Sequence, residues 1–378
     1  MIPLFADPVL DVARETALIA TQRMLTWADL LTAASVDSKD GGNDLVTAAD
    51  AEIEALVRHH LSVCRLGDTM VGEEGAAARA LADVEGGEQV EGLLAQAAEA
   101  GAALRSQQRP GEDASVGGAT GVEATGASAD WSDLVWHVDP IDGTVNFVRG
   151  IEHFCFSVGV RQASADPAAP DDGWVAGLVA APLLDRVWFA VDGRAWAAPL
   201  AILTDPTTAA RELTGGGAPA SGRVVATGFG YAAERRAVQL AALGRVMEDF
   251  DDVRRCGSAA IDLCMAAEGR VNAYYERGLG VYDYAGGAYI AQCAGRFVHR
   301  RADSFLRADT GATIAVPDEE AAGTAAGGTA GDDVEAGLHA GGSVGSAPEA
   351  GVGNAVSSPE LTVVADTRER FELLLARG

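Results

Sequence analysis

The stretch Trp136-His137-Val138-Asp139-Pro140-Ile141-Asp142-Gly143-Thr144-Val145-Asn146-Phe147 decides how this chain is read. The run from Leu134 to Val138 has the β-rich character of a strand and carries Asp139 to its end. Pro140 has no amide hydrogen to pair and is expected to stop the strand. Asp142-Gly143-Thr144 then has the chemistry of a turn opening into further structure. Two carboxylates three residues apart around a proline converge on one point, and the carbonyl of Ile141 between them adds a third oxygen. Such a donor set suits magnesium, which takes oxygen ligands. The competing reading is a plain turn whose aspartates bond their own backbone.

Three more acidic positions stand out from this stretch. Glu73 lies in Val71-Gly72-Glu73-Glu74-Gly75, where glycines let the backbone come close to a ligand; a solvated acidic turn is the alternative. Asp283 opens an apolar helix in Tyr282-Asp283-Tyr284-Ala285-Gly286-Gly287, where it also fits a capping role. Asp50 ends Asp44-Leu45-Val46-Thr47-Ala48-Ala49-Asp50, in the first turn of an expected helix, a place the helix dipole favours for a carboxylate.

Hydrophobic spacing supplies the frame for these acids. Leu10, Ala13, Ala17, Leu18, Leu25 and Leu31 predict a helix over Pro8 to Leu31, followed by a polar loop from Asp37 to Asn43. Thr47 is placed to cap a second helix whose buried stripe is Ile53, Leu56, Val57 and Leu61. Strand-like runs follow at Leu134 to Val138, Phe154 to Val160, Trp174 to Ala180, Val187 to Val191, Arg223 to Thr227 and Val271 to Tyr275. Helical patterns cover Glu234 to Met247, Ser258 to Ala267 and Tyr284 to Cys293. Strand blocks alternating with helices predict an α/β or α+β layered fold with mixed sheets.

The 378 residues carry 28 Lys and Arg against 55 Asp and Glu, a net charge of −27 and a pI near 4.4. A chain this acidic is not built to hold nucleic acid, whose phosphates are met by clustered bases. With 48% hydrophobic residues it can bury a core, yet no run approaches the roughly 18 apolar residues of a membrane span. The amino terminus lacks a basic and apolar leader, so the cytoplasm is the expected location. Cys64, Cys155, Cys256, Cys264 and Cys293 form no Cys-x-x-Cys and sit mostly in apolar runs, which predicts reduced, packed thiols rather than zinc or disulfide sites.

Residues 76–130 and 317–358 are dominated by small and polar residues and read as low-complexity insertions. They hold nine acids with three arginines, and seven acids with no base, respectively. Mobile loops are expected there, with a short helix over Val90 to Leu104. Gly341-Gly342-Ser343-Val344-Gly345 matches a nucleophile-elbow pattern, but without the strand and helix that such an elbow needs. No P-loop is present, and Lys39 is the sole lysine. The 281 residues outside both insertions suit one two-lobed domain, which spans 1–316 plus 359–378 and is interrupted by 76–130.

Taken in order, the segments 44–50, Gly72-Glu73-Glu74, 139–147, Arg254-Arg255-Cys256-Gly257-Ser258-Ala259-Ala260-Ile261-Asp262-Leu263 and 282–287 closely resemble the inositol monophosphatase family. The likeness runs from about Val9 to His299 and resumes over Leu361 to Leu375. Thr227-Gly228-Phe229-Gly230-Tyr231 and Ala273-Tyr274-Tyr275-Glu276 look most like its bacterial inositol-1-phosphatase branch. The resemblance implies a layered α-β-α-β-α sandwich and magnesium-dependent, lithium-sensitive hydrolysis of a small phosphorylated polyol, foremost myo-inositol 1-phosphate. It implies that Glu73, Asp139, the Ile141 carbonyl, Asp142 and Asp283 hold two ions, with Asp50 and Glu73 steering a third. Thr144 would orient the attacking water, and the amides of Gly143 and Thr144 would cradle the phosphate. Asp142, Ala259 and Glu276 match positions that contact the substrate ring, with Asp283 beside them, and a homodimer is expected.

The same resemblance leaves other substrates open, namely histidinol phosphate, fructose 1,6-bisphosphate and 3′-phosphoadenosine 5′-phosphate. A non-catalytic regulatory protein that uses its acidic insertions as binding tails is the alternative of another class. The four carboxylates are read as lying without a nearby lysine or arginine clamp, so that metal ions must offset the phosphate charge. Tyr282 stands where the family usually has Trp, and Gly286 where it has Ala; the glycine is expected to loosen the Asp283 helix. Lys39 matches a loop lysine of the family, and His137, His153 and His299 read as packing or surface residues. If 317–358 is filler, deleting it leaves melting temperature and turnover nearly unchanged; a large loss of turnover marks it as a lid.

Overall fold

Helix α1 (Pro8–Ala34) buries the predicted stripe except Leu25, which is half-buried, and α2 (Gly42–Cys64) packs beside it through Ala49, Ile53 and Val57. These features come from a computed structural model, which describes residues 3–34, 42–107, 133–166, 168–216, 222–300 and 361–378. Helix α2 begins at Gly42, so Thr47 lies inside it rather than at its cap, and Asp50 sits more than two turns in. Lys39 and the expected loop up to Gly41 lie outside the described residues, as does 317–358 with Ser343.

The first sheet has seven strands: β1 (Thr69–Gly72), β2 (Leu134–Asp142), β3 (Cys155–Gln162), β4 (Trp174–Ala181), β5 (Arg186–Val191), β6 (Arg194–Ala198) and β7 (Arg211–Leu213). They lie in chain order, with β1 parallel to β2 and every later pair antiparallel. The second sheet runs β11-β12-β10-β8-β9, from β8 (Val224–Thr227), β9 (Asp252–Arg254), β10 (Ala273–Arg277), β11 (Phe297–His299) and β12 (Leu361–Ala365). It is mixed too, since β8 pairs parallel with β9 and β10 while β12 runs against β10 and β11.

Three apolar cores separate five layers. The first joins α1 and α2 to one face of the seven-stranded sheet. The second fills the middle, where α6 (Ala259–Glu268) and α7 (Val281–Cys293) lie between the sheets. The third joins the outer face of the second sheet to α8 (Arg368–Arg377), with α5 (Ala233–Val246) alongside it. This is the α-β-α-β-α sandwich expected. Strand β4, covered on both faces, is buried at every residue, as a near-continuous apolar run requires.

Within 76–130, helix α3 spans Gly87–Gln107, longer than the Val90 to Leu104 expected. Leu81 and Val90 pack there against Ile19 and Leu56, so this part of the stretch is anchored to the outer helix layer despite its composition.

The middle layer is held close by glycines. A Cβ on Gly159 of β3 would lie 2.5 Å from Ala285 Cβ, and one on Gly286 would lie 2.8 Å from the Val158 carbonyl oxygen. Gly286 lets α7 settle onto β3 and β4, since a side chain there would meet the Val158 and Leu178 carbonyls. Overpacking costs about 1–3 kcal/mol, so Gly159→Ala lowers the melting temperature, as differential scanning calorimetry will show.

Candidate active site

Strand β2 does not end at Pro140. It continues to Asp142 with one extra residue, because Asp139 pairs with Ser157 while Asp142 pairs with Cys155. A bulge of this kind re-aims side chains, and here it turns Asp139 and Asp142 toward the same point. Gly143, at φ 93°, then starts the short helix α4 (Thr144–Arg149). The Thr144 hydroxyl donates to the Ile141 carbonyl at 3.0 Å.

Asp283 arrives from the first turn of α7, where its Oδ2 also accepts the Gly280 amide at 2.6 Å. The N-cap of α7 is Gly280 rather than Asp283, which sits at the third helical position and reaches back to the cap amide while also facing the site. One carboxylate oxygen each from Asp139, Asp142 and Asp283 lies within 4.8 Å of the others. Glu73 follows β1 and lines the same cleft, of about 270 Å³, with Ile141, Gly143, Thr144, Ala259, Glu276 and Tyr282. Asp50 does not line it; it lies buried in α2, close enough for Glu73 and Glu74 to repel its charge.

The site has its own supports. Asp142 Oδ2 accepts the Ser258 hydroxyl at 2.6 Å and the Ala260 amide at 2.6 Å, which ties β2 to the N-terminus of α6. Asp139 Oδ1 and Asp50 Oδ1 are buried and accept no hydrogen bond among the described residues. Buried acceptors left without a donor are costly, and a cluster of them with converging carboxylates is what a divalent cation satisfies. The residues present fit such an ion.

Comparison with known proteins agrees. The family model described as "Inositol monophosphatase family" matches residues 6–329. The chain belongs to the inositol monophosphatase family. It is 34% identical over 261 residues to the inositol-1-monophosphatase SuhB of Mycobacterium tuberculosis, covering 69% of this chain and 70% of that protein. It is 35% identical over 199 residues to the Nus factor SuhB of Haemophilus influenzae, covering 52% of this chain and 67% of that protein. The solved structure of Mycobacterium tuberculosis SuhB superposes with a TM-score of 0.51 at 28% identity, covering 76% of this chain and 85% of that one. A Bartonella henselae suhB structure reaches a TM-score of 0.53 at 19% identity, covering 98% and 99%, a likeness of fold alone.

The electrostatics of this family member follow from crowding. Burial, then repulsion from Glu73, Glu74 and Glu54, pushes Asp50 up to about 8. Burial with Glu74 and Asp142 nearby lifts Glu73 to about 7. Asp142 rises to about 6, mainly by burial, against the lowering effect of its Ser258 and Ala260 hydrogen bonds. Asp139 and Asp283 are raised well above the usual carboxylate range by burial and by Asp142. Glu276 is lifted to about 7 by burial, opposed by the hydrogen bond from Tyr274, whose hydroxyl donates at 2.6 Å.

The structure corrects one expectation about charge. Arg235, Arg255 and Arg277 line the cleft, so its wall is not wholly acidic. These arginines come from α5, from the segment before α6 and from the end of β10, which only folding brings together. The histidines keep to the packing role: His137 is buried beside Trp174 and pushed down to about 3 by burial and by Arg161, while His153 bonds Asp262 at 3.1 Å. Cys64, unlike the packed thiols expected, is exposed.

Glu54 and Ser258 escaped the sequence reading. Glu54 is fully buried and accepts the amides of Glu74 at 2.8 Å and Ala76 at 2.9 Å while paired to Arg58 at 2.7 Å. It thereby pins the loop that presents Glu73. A Cβ on Gly72 would lie 2.4 Å from its carboxylate, which is why glycine precedes the two glutamates. Ser258 could have been found as the N-cap before an apolar helix; Glu54 had no signal beyond the helical stripe.

The raised carboxylates set the pH dependence of the metal-free protein. Their folded pKa values lie above those of the unfolded chain, so the associated stability is present below about pH 4 and is lost as pH rises through 6 to 8. In EDTA the melting temperature falls between pH 5 and pH 8. Added magnesium raises it far more at pH 8 than at pH 5, which thermal melts across that range will test.

Proposed function

We propose that this chain is a magnesium-dependent phosphomonoesterase whose foremost substrate is myo-inositol 1-phosphate. The observation that carries the reading is the convergence of Asp139, Asp142 and Asp283, with Glu73 in the same cleft and the Thr144 hydroxyl beside the Ile141 carbonyl. In this reading Glu73, Asp139, Asp142, Asp283 and the Ile141 carbonyl hold two ions, and Asp50 and Glu73 steer a third. Divalent ions bound there lower the pKa of a water and offset phosphoryl charge.

The chain's own residues do the rest. Thr144, held against the Ile141 carbonyl, orients the attacking water toward phosphorus. The amides of Gly143 and Thr144, where the chain enters α4, meet the phosphate oxygens. Asp142, Ala259 and Glu276 receive the hydroxyls of the polyol, so that the ester oxygen leaves in line with the incoming water. Glu276, lifted to about 7, can either accept or donate a hydrogen bond to a ring hydroxyl near neutral pH. A homodimer belongs to the same proposal, as does inhibition by lithium.

Names among the relatives favour a second reading. A relative called Nus factor SuhB shares 35% identity over 199 residues, which supports a regulatory role through protein binding beside or instead of turnover.

Phosphate release from myo-inositol 1-phosphate with magnesium tests the first reading. Asp142→Asn lowers turnover by more than about 100-fold, since a ligand and its backbone ties are both altered, and EDTA abolishes activity. Full activity of that variant in EDTA sinks the mechanism. A panel with histidinol phosphate, fructose 1,6-bisphosphate and 3′-phosphoadenosine 5′-phosphate ranks the substrates, and magnesium binding without turnover of any of them points to the regulatory reading.

A further inference from the structure

Away from the cleft, three different zinc-type donors meet where α1 lies on α2. His60 Nε2 is 2.9 Å from Glu15 Oε2 and 3.5 Å from Cys64 Sγ. All three ligand atoms lie within 4.8 Å of one another. His60 and Cys64 are four residues apart on α2, one helical turn on the same face, and Glu15 is supplied by α1.

Bond lengths to zinc of about 2.0–2.1 Å for nitrogen and 2.3 Å for sulfur make the nitrogen-to-sulfur edge of a tetrahedron about 3.5 Å. The His60 to Cys64 separation has that value. The corresponding nitrogen-to-oxygen edge is about 3.3 Å, so Glu15 need withdraw by only a few tenths of an ångström. Its other oxygen is held by Arg14 at 3.3 Å, and Arg14 is itself fixed by Asp11 at 2.7 Å and by the Leu203 carbonyl at 2.9 Å. A ligating carboxylate with a second hydrogen-bond partner is the usual outer arrangement of a protein zinc site. Cys64 is exposed and gives the ion a path in.

We infer that Glu15, His60 and Cys64 form a second metal site, separate from the acidic cleft, that takes a thiophilic divalent ion such as zinc, with water completing a tetrahedron. Hard magnesium is excluded by the sulfur and nitrogen donors, so the two sites sort their ions by chemistry. An ion here clamps α1 to α2, the layer that carries Asp50 and Glu54. The cluster His153, Cys256 and Asp262 is the weaker candidate, because Asp262 belongs to the wall of the cleft.

Cobalt(II) added to the reduced, full-length protein provides the test, since a thiolate ligand gives a near-ultraviolet charge-transfer band that oxygen-ligated cobalt in the cleft does not. The band is expected in the native protein and in Asp142→Asn. It should be lost in Cys64→Ser and displaced by zinc, and His60→Gln should weaken zinc binding at least about tenfold by calorimetry. Circular dichroism of the metal-free variants checks that they fold. A native protein without the band, or a Cys64→Ser protein that keeps it, overturns the site. Neither result bears on the phosphatase reading, which is measured in the cleft.

Discussion

Mutual repulsion among carboxylates is the constraint on which the rest of this structure depends. Asp139, Asp142 and Asp283 are pressed together at the base of the cleft, with Glu73 and Asp50 close by, and Asp139, Asp142 and Asp50 are buried, where water screens them poorly. Left alone, such a group would spread or pull protons from solution. The fold resists the first by tying three of these acids to different elements. Asp142 is anchored to the N-terminus of α6, Asp283 to the first turn of α7, and Glu73 to a loop nailed down by Glu54. What remains is protonation or a cation, and the two compete for the same oxygens.

Close packing of the middle layer makes that geometry possible. Asp283 reaches the point from α7 only because α7 lies almost on the backbone of β3 and β4, at Gly159, Gly177 and Gly286. The glycines are thus part of the site although none of these three lines the cleft. A bulge does the equivalent work on the other side, turning β2 so that two aspartates from one strand face the same way. The strand contributes two donors and the helix and the loop one each, which is how a rigid oxygen-lined centre is built from elements far apart in the chain.

Much of this could be read from the residues in order. The segment around Asp139 and Asp142 has turn chemistry, two acids and an intervening carbonyl, and α1, α5, α6 and α7 follow their apolar spacing closely. Strands β7, β9 and β11, of three residues each, are too short to show an alternating pattern. Thr47 looks like a cap locally, while α2 begins earlier, at Gly42. Pro140 has the chemistry of a strand end, but as part of a bulge it is tolerated within β2. Glu54 and the arginines of the cleft were illegible for another reason. Their roles depend on partners that the fold brings from elsewhere in the chain, such as the Glu74 and Ala76 amides.

Charge has two levels in this protein, and only one of them concerns the site. The net −27 is spread over the chain, and 76–130 and 317–358 together hold sixteen of its acids against three arginines. Such charge, if solvated, is screened within about 8–10 Å at ordinary salt and says little about any one ligand. At the cleft the pattern is polar rather than uniform: acids lie at its base, where Asp139 and Asp142 are buried, and Arg235 and Arg255 are exposed on its wall. A phosphate ester entering such a cleft is attracted by the wall and repelled by the floor until cations neutralise the floor. The acids are therefore not a general preference for positive partners but a local demand for metal, set by a handful of buried oxygens rather than by composition.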